Sequence, residues 1–238
     1  MRPGSGPYAG PVGSDPAVQQ LARRAAALAG QPGRAILGIT GPPAAGKSTL
    51  AETLLAELGG AAACVPLDGF HLAHRVLEEL GTVHRKGAPD TFDAAGYVAL
   101  LRRLRDPAEG TVYAPRFRRE IEDSVAGAIP VPPGARLVVT EGNYLLVRSG
   151  PWAGLAGLLD EVWYLDLDEP TRLRWLAGRH ERYGRSAAEA AARASGPDQR
   201  NAELIESTRP RADLIISVTP AGYEVQPASG ESSAYLIS

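Results

Sequence analysis

Short apolar runs alternate with amphipathic stretches along this chain of 238 residues. The apolar runs have the length and content of strands that are buried on both faces. They cover residues 35–39, 62–67, 136–141, 161–166 and 213–218. Five such runs predict a sheet of about five strands.

Two helices are indicated by their ends or their spacing. The first has Asp15 as its N-cap and Pro16 at its first position, and Gly30 ends it. The second covers residues 94–104, where apolar side chains fall along one face. Strands that alternate with helices predict an α/β fold in which a mainly parallel sheet is covered on both faces.

A phosphate-binding motif lies between the first run and a helix. It reads Gly-Pro-Pro-Ala-Ala-Gly-Lys-Ser and completes the pattern G-x-x-x-x-G-K-[ST]. Its backbone N–H groups can surround phosphate oxygens, Lys47 can reach the β- and γ-phosphates, and Ser48 can ligate Mg²⁺. The predicted nucleotide-binding residues are Gly41, Pro42, Pro43, Ala44, Ala45, Gly46, Lys47, Ser48 and Thr49.

Two other predicted strands lead into a carboxylate followed by glycine. Asp68 follows the second run, and Glu141 ends the third. Ligands of open α/β sheets bind beyond the carboxyl ends of the strands, so both side chains are expected at the site. Asp68 is the candidate general base for a substrate hydroxyl, and Glu141 the carboxylate on the metal side, near Ser48. The reverse assignment stays open, as does a plain role for either as a solvated carboxylate.

A segment rich in arginine follows the fourth run. Pro170 marks the start of a helix along which the arginines recur. A basic helix here predicts a lid, over about residues 170–196, that brings Arg179 to the γ-phosphate and excludes water. Arg174 and Arg185 are further candidates for contact with the nucleotide. The alternative is a solvated helix face with ordinary ion pairs.

Between residues 81 and 119 the chain is polar and interrupted by prolines, with charged and aromatic side chains together. The segments that contain these charged and aromatic side chains do not show the apolar period of a core helix or strand. Long irregular insertions in compact domains are often functional, so we expect a substrate-binding rim, with plain surface loops as the alternative. The candidate residues are Arg85, Lys86, Tyr113 and Arg116.

Composition excludes several classes of protein. A net charge of −2 gives no electrostatic case for binding nucleic acid. The single cysteine, Cys64, excludes an intramolecular disulfide and is expected to be an inert, buried thiol. No signal segment or apolar stretch of about 18 residues occurs, so we expect a cytoplasmic protein that does not enter a membrane. The histidines lack zinc-ligand spacing, which leaves Mg²⁺ as the implied ion.

The length accommodates one domain with a single core. We expect a P-loop NTPase fold, a three-layer α/β/α sandwich with a helical lid. The domain is predicted over residues 15–220. A flexible leader rich in glycine and proline, residues 1–14, precedes it, and a C-terminal tail, residues 221–238, follows.

Together these motifs resemble the superfamily of pantothenate kinase, uridine kinase and phosphoribulokinase over about residues 36–217. The resemblance is strongest to a bacterial group of nucleoside/nucleotide kinase-like proteins. The group's patterns Asp-Gly-Phe-His-Leu, Tyr-x-Pro-x-Phe and Glu-Gly-Asn-Tyr-Leu stand here at residues 68–72, 113–117 and 141–145. The resemblance implies that Asp68 activates the acceptor hydroxyl and that Arg179 stabilises the transferring phosphoryl group.

The shared patterns also add residues to the acceptor side. These are Asp68, Phe70, His71, Glu141, Asn143 and Tyr144. Asn201 lies in a segment that resembles bacterial pantothenate kinases, in which the asparagine helps to hold the substrate. Two departures argue against assigning the substrate of either relative to this chain. Residues 113–119 lack the histidine of pantothenate and uridine kinases, and Leu176 replaces a lid tyrosine of pantothenate kinases.

The sequence predicts an ATP- and Mg²⁺-dependent kinase of a small metabolite, with a nucleoside-like acceptor preferred and pantothenate or a sugar as alternatives. Rivals from other classes are a nucleotide-driven switch or ATPase and a non-catalytic ATP-binding module. Asp68 and the polar insertion favour the kinase, because a switch needs no acceptor pocket. The related kinases also imply a homodimer.

Overall fold

Eight strands and seven helices form the part of the chain that the computed structural model describes, residues 15–106, 108–184, 186–219 and 221–227. The strands are β1 (Ala35–Thr40), β2 (Ala62–Cys64), β3 (Val112–Arg118), β4 (Asp123–Val131), β5 (Leu137–Glu141), β6 (Glu161–Asp166), β7 (Leu214–Thr219) and β8 (Gly222–Pro227). The helices are α1 (Pro16–Ala29), α2 (Lys47–Leu58), α3 (His74–Glu79), α4 (Ala94–Arg105), α5 (Glu169–Arg182), α6 (Ala187–Ser195) and α7 (Pro197–Glu206).

The central sheet has the strand order β2-β5-β1-β6-β7-β8. Its first five strands are parallel, and β8 runs antiparallel to β7. Each apolar run contributes one parallel strand, which confirms the predicted mainly parallel α/β sheet. The sixth strand, β8, lies in the stretch that the sequence assigns to a C-terminal tail.

Apolar side chains cover both faces of this sheet. All six residues of β1 are buried, and their side chains are divided between two cores. Ile36 packs into a core with residues of α4, whereas Leu37 and Ile39 pack into a core with residues of α1 and α2. Because a central parallel strand has helices on both sides, it needs no polar face. The three-layer arrangement is therefore confirmed.

The helix α1 has the ends that the sequence predicts. The side chain of Asp15 accepts a hydrogen bond from the N–H of Ala17, Pro16 occupies the first turn, and Gly30 is the C-cap. The buried residues recur on one face of the helix: Val18, Leu21, Ala25 and Leu28. Capping and spacing here act together, so local sequence is sufficient to fix the helix.

The strands β3 and β4 form a hairpin outside the central sheet. The sequence indicated irregular structure over part of this region, because proline and arginine interrupt any clear pattern. The interpretation as an irregular segment is wrong for residues 112–118. The register shifts between Ala114 and Arg116, at Pro115, which has no N–H to donate and fits a bulge in a strand.

The second apolar run ends earlier as a strand than its sequence suggests. Strand β2 stops at Cys64, and a turn of 3₁₀-helix, Leu67–Phe70, follows. Cys64 is only partly buried as a residue, yet burial raises the pKa of its thiol well above the usual range. The turn carries Asp68 to the carboxyl edge of the sheet.

Two helices occupy the range predicted for the lid. They are α5, which has Asp168 as its N-cap, and α6, which begins with a capping box of Ser186 and Glu189. Within the described residues, no helix combines the length and the apolar content that a membrane crossing requires.

Candidate active site

The phosphate-binding loop joins the end of β1 to the start of α2. Gly41 has a φ of 143°, and a Cβ there would lie 2.5 Å from the carbonyl oxygen of Leu165 on the neighbouring strand. Only glycine meets both conditions without strain. Gly46, with a φ of 90°, is the N-cap of α2, so the N-terminus of that helix opens directly onto the loop and favours an anion.

Lys47 is buried at the base of the loop. Its ammonium donates to the carbonyl oxygens of Gly41 (2.9 Å) and Pro42 (3.0 Å). Burial lowers the pKa of Lys47, and the nearby carboxylates of Glu141 and Asp68 oppose that effect. The ammonium thus lies within the loop that would surround the phosphates, held by carbonyl groups that it can exchange for phosphate oxygens.

Ser48 and Glu141 meet beside the loop. The Ser48 hydroxyl donates to Oε1 of Glu141 at 3.1 Å, and Glu141 ends β5, the strand next to β1. Burial raises the pKa of Glu141, and the charge of Asp68 raises it further. A cation in addition to Lys47 would relieve the repulsion between the carboxylates of Glu141 and Asp68.

The oxygen atoms of Ser48 and Glu141 fit Mg²⁺, which takes one or two protein oxygens together with phosphate oxygens and water. No group of three or more histidine, cysteine or acidic side chains gathers as a metal site among the described residues.

Asp68 faces the loop from the 3₁₀ turn that follows β2. Its side chain is 40% exposed, and Oδ2 lies 3.5 Å from a guanidinium nitrogen of Arg119 on the hairpin side. The backbone carbonyl of Asp68 bonds to the ring of His71 at 2.9 Å. The carboxylate is thus accessible to a substrate while its backbone is fixed.

Arg179 reaches the same space from α5. No hydrogen bond or ion pair holds its side chain among the described residues. Burial lowers the pKa of Arg179, and the positive charge of Arg119 adds to the shift. A cation in this setting is electrostatically suited to a phosphate group.

These groups line one cleft of about 640 Å³. The sequence-predicted residues on its wall are Pro43, Ala44, Gly46, Lys47, Ser48, Thr49, Asp68, His71, Lys86, Glu141, Asn143, Arg179 and Asn201. Residues from distant parts of the chain thus meet at the carboxyl edge of the sheet, as expected for an open α/β fold.

Other predicted site residues lie elsewhere among the described residues. Arg174 donates to the Thr171 hydroxyl at 2.7 Å and is exposed, whereas Arg185 lies outside the described residues. The remaining residues that do not line the cleft are Gly41, Pro42, Ala45, Phe70, Arg85, Tyr113, Arg116 and Tyr144.

Three of these have clear structural contacts instead, and a fourth is exposed. Phe70 packs against a buried tyrosine with ring centroids 5.1 Å apart. Arg85 forms an ion pair with a neighbouring aspartate, and Tyr113 is 59% exposed. Tyr144 is fully buried and donates from its hydroxyl to the Gly87 carbonyl at 2.5 Å. Tyr144 therefore supports the chain next to Lys86 from behind the cleft.

Comparison with known proteins decides the family. No protein-family model matches the chain. A candidate uridine kinase from Schizosaccharomyces pombe is 31% identical over 208 residues, which cover 83% of this chain and 88% of that protein. A pantothenate kinase from Cutibacterium acnes is 34% identical over 165 residues, which cover 60% of this chain and 47% of that enzyme. The chain belongs to the P-loop kinase family of these relatives.

Solved structures share the fold of this P-loop kinase. A candidate fructose transport system kinase from Silicibacter sp. TM1040 is 37% identical, with a TM-score of 0.76 over 83% of this chain and 98% of that chain. Phosphoribulokinase from Rhodobacter spheroides has a TM-score of 0.57 at 12% identity, over 77% of this chain and 70% of that enzyme, and shows likeness of fold alone.

Several cleft residues of the kinase escaped sequence reasoning. Phe117 and Arg119 come from the hairpin, and Arg193 and Asp198 from the region of α6 and α7. Asp198 bonds to the ring of His180 at 2.7 Å. The only sequence signal for Arg119 was the mixture of arginine and aromatic residues around it, and that signal does not single out one arginine.

Proposed function

We propose that this protein is an ATP- and Mg²⁺-dependent kinase that transfers the γ-phosphoryl group of ATP to a hydroxyl of a small metabolite. One observation carries the proposal: the phosphate-binding loop, the accessible carboxylate of Asp68 and the guanidinium of Arg179 line one cleft. A donor site, a base and a cation are the parts that phosphoryl transfer requires.

Each group has a definite task in this reaction. Lys47 and the N–H groups of the loop bind the β- and γ-phosphates, and Ser48 with Glu141 would hold Mg²⁺, which neutralises charge on the phosphates when bound. Asp68 takes the proton from the acceptor hydroxyl as its oxygen bonds to the γ-phosphorus. The bond from that phosphorus to the bridging oxygen of ADP breaks, and Arg179 stabilises the charge on the moving group.

We keep a nucleoside-like acceptor as the preferred type of hydroxyl compound. The ring centroids of His71 and Phe92 lie 4.0 Å apart, and those of His71 and Phe117 lie 4.9 Å apart. All three line the acceptor side of the cleft, where aromatic faces can stack on a planar base or pack against a sugar ring. The names of the relatives support a nucleoside, a sugar or pantothenate as alternatives.

A switch or ATPase without an acceptor remains the rival from another class. Such a protein needs a residue that positions water, but it does not need a roomy aromatic pocket on the far side of the base. The volume and the lining of the cleft therefore favour the kinase. A non-catalytic ATP-binding module would have no use for an accessible carboxylate opposite the phosphate loop.

The substitution D68N separates these functions. We expect it to lower acceptor-dependent ADP release by about 10²–10⁴-fold, the usual contribution of a general base, while AMPPNP·Mg²⁺ still binds. The assay follows ADP release from ATP and Mg²⁺ with a panel of nucleosides, sugars, sugar phosphates and pantothenate. The control E57Q alters an exposed acidic side chain of α2 that does not line the cleft, and it should keep wild-type rates.

Two results would count against the proposal. If the whole panel leaves ADP release at the acceptor-free rate while a partner protein raises it, the protein is a switch or an ATPase. If D68N retains full acceptor-dependent turnover, Asp68 is not the base. Binding of AMPPNP by D68N, measured by calorimetry, shows whether the variant is folded.

A further inference from the structure

Two cationic side chains lie against one aromatic ring on the acceptor side of the cleft. The ammonium of Lys86 is 5.2 Å from the centroid of the Phe117 ring, and the guanidinium carbon of Arg119 is 5.9 Å from it. All three residues line the cleft. Burial lowers the pKa of the neighbouring His71, and both cations contribute to the same shift. Two positive charges therefore converge beside Asp68.

Lys86 is fixed in this position from several sides. Its side chain is only 11% exposed, and its ammonium donates to the backbone carbonyl of Glu122 at 2.6 Å. Arg193 donates to the carbonyl of Lys86 at 2.6 Å. The carboxylate of Glu122 is 3.6 Å away and 62% exposed, so that ion pair is loose and weakly stabilising. An additional anion would bind to an ammonium that is already in place.

Arg119 has an ion-pair partner that the reaction would take from it. It pairs with Oδ2 of Asp68 at 3.5 Å, but a carboxylate that receives the proton of a hydroxyl becomes neutral, so the ion pair with the guanidinium is lost. Arg119 would then remain close to Arg179, whose pKa is lowered by burial and by the charge of Arg119 itself. The γ-phosphate compensates Arg179. Arg119 needs another anion.

We propose that the acceptor itself carries an anionic group, a carboxylate or a phosphate, that binds to Arg119 and Lys86 while its hydroxyl meets Asp68. The planar fork of Arg119 suits either anion, and Lys86 adds a compact charge. This inference rests on the kinase function proposed above and narrows its substrate class. The preferred acceptors are hydroxy acids and phosphorylated sugars or nucleosides rather than their neutral counterparts.

Inorganic phosphate tests this anion site before any acceptor is known. AMPPNP with Mg²⁺ first fills the phosphate loop, including the γ position, so phosphate that is added afterwards reports a second site. We expect phosphate to raise the unfolding temperature of this complex, and R119Q to weaken phosphate binding by about tenfold or more, the value of a hydrogen bond to a charged group.

The matched control is R118Q. Arg118 stands next to Arg119 on the same hairpin and pairs with Glu120 at 3.5 Å, but it does not line the cleft. R118Q should bind phosphate as the wild type does. Absence of phosphate binding in the wild-type complex, or equal binding by wild type and R119Q, overturns the proposal. If AMPPNP·Mg²⁺ does not bind at all, the proposed kinase function is wrong, and the anion site that rests on it is wrong with it.

Matched acceptor pairs then distinguish a carboxylate from a phosphate. ADP release is compared for glycerol with glycerate, glycerol with glycerol 3-phosphate, and ribose with ribose 5-phosphate. We expect faster release with the anionic member of at least one pair, and a larger effect of R119Q on its KM than on its kcat. Faster turnover of neutral members throughout, or an equal effect of R119Q on neutral and anionic acceptors, would show that the acceptor needs no charge.

Discussion

Gly69 controls how closely the Asp68 turn approaches the hairpin. A Cβ at Gly69 would collide with the backbone carbonyl of Pro115, so any larger residue must push the turn and the hairpin apart. We expect G69A to lower the free energy of unfolding by about 1–3 kcal/mol, as forced overpacking does. Urea denaturation monitored by circular dichroism measures this loss.

The matched control for that substitution is G60A. A Cβ at Gly60 meets no atom within 4 Å, and Gly60 has no left-handed φ, so the free energy of unfolding should be close to that of wild type. If G69A and G60A unfold at the same urea concentration, the turn and the hairpin are not tightly packed. G69A should also lose activity under conditions in which it is still folded, because Asp68 moves with the turn.

At some predicted site residues a local motif fixes the geometry. Lys47 and Ser48 line the cleft because the loop between β1 and α2 leaves few alternatives once its glycines are placed. Arg119 could not be found in the same way. Its contact with Asp68 joins positions far apart in the chain, and it depends on the path of a hairpin whose pattern is obscured.

The lid helix α5 presents two arginines in different environments. Arg179 lines the cleft, whereas Arg174 is occupied by the hydroxyl of Thr171. We expect R179Q to lower kcat by roughly 10²–10³-fold, the loss typical for one preorganised donor to a developing charge. R174Q should change kcat little. Steady-state ADP release with the best acceptor compares the two variants.

The reverse order of effects would place the catalytic cation elsewhere. If R174Q lost more activity than R179Q, the lid would have to rotate by about a third of a turn on closure to exchange the two side chains. Equal, small effects would mean that the lid supplies no cation to the reaction. Circular dichroism of both variants checks that α5 is intact.

At the level of elements, periodicity and capping were sufficient for the five parallel strands of the sheet and for α1 and α4. The hairpin of β3 and β4 was missed for a physical reason. Buried and exposed positions alternate from Val112 to Ala114, but the register shift at Pro115 reverses the alternation, so that Phe117 is partly buried and Arg116 is exposed. Pro115 also lacks the N–H of a regular strand. The end of β2 at Cys64 could not be predicted either, because the apolar run in the sequence continues beyond Cys64.

The order of the strands could not be read from local patterns. The strands β1 and β5 are neighbours, although nearly a hundred residues separate them in the chain. The pairing depends on which apolar faces fit together once the helices cover the sheet. Strand β8 adds to the edge at β7, and no clear apolar run marks its residues in the sequence.

Cys64 offers a test of how tightly the molecule as a whole is closed. It is the single cysteine of the chain, and because burial raises the pKa of its thiol, the thiol stays protonated at pH 8 in the folded protein. We expect its reaction with a disulfide reagent at pH 8 to be at least about tenfold slower than in the chain unfolded by urea. Absorbance of the released thiolate measures both rates.

A rate near that of the unfolded chain would mean that β2 separates readily from the sheet. Raising the pH should then accelerate the reaction only until an exposed thiol, with a pKa of about 8.5, is fully deprotonated. A well-closed molecule behaves differently, since the reaction must wait either for deprotonation or for local opening. Saturating AMPPNP·Mg²⁺ should slow the reaction further if the nucleotide stabilises the same closed state.

The three tryptophans of the chain differ in surroundings, and this gives the cleft an optical signal of its own. Trp152 and Trp163 are buried, at 4% and 0% exposure, so solvent and ligands hardly reach their rings. Trp175 lies on the lid helix and lines the cleft. The intrinsic fluorescence that changes when nucleotide or acceptor is added therefore comes chiefly from α5, and any movement of that helix can be timed in solution without attaching a dye.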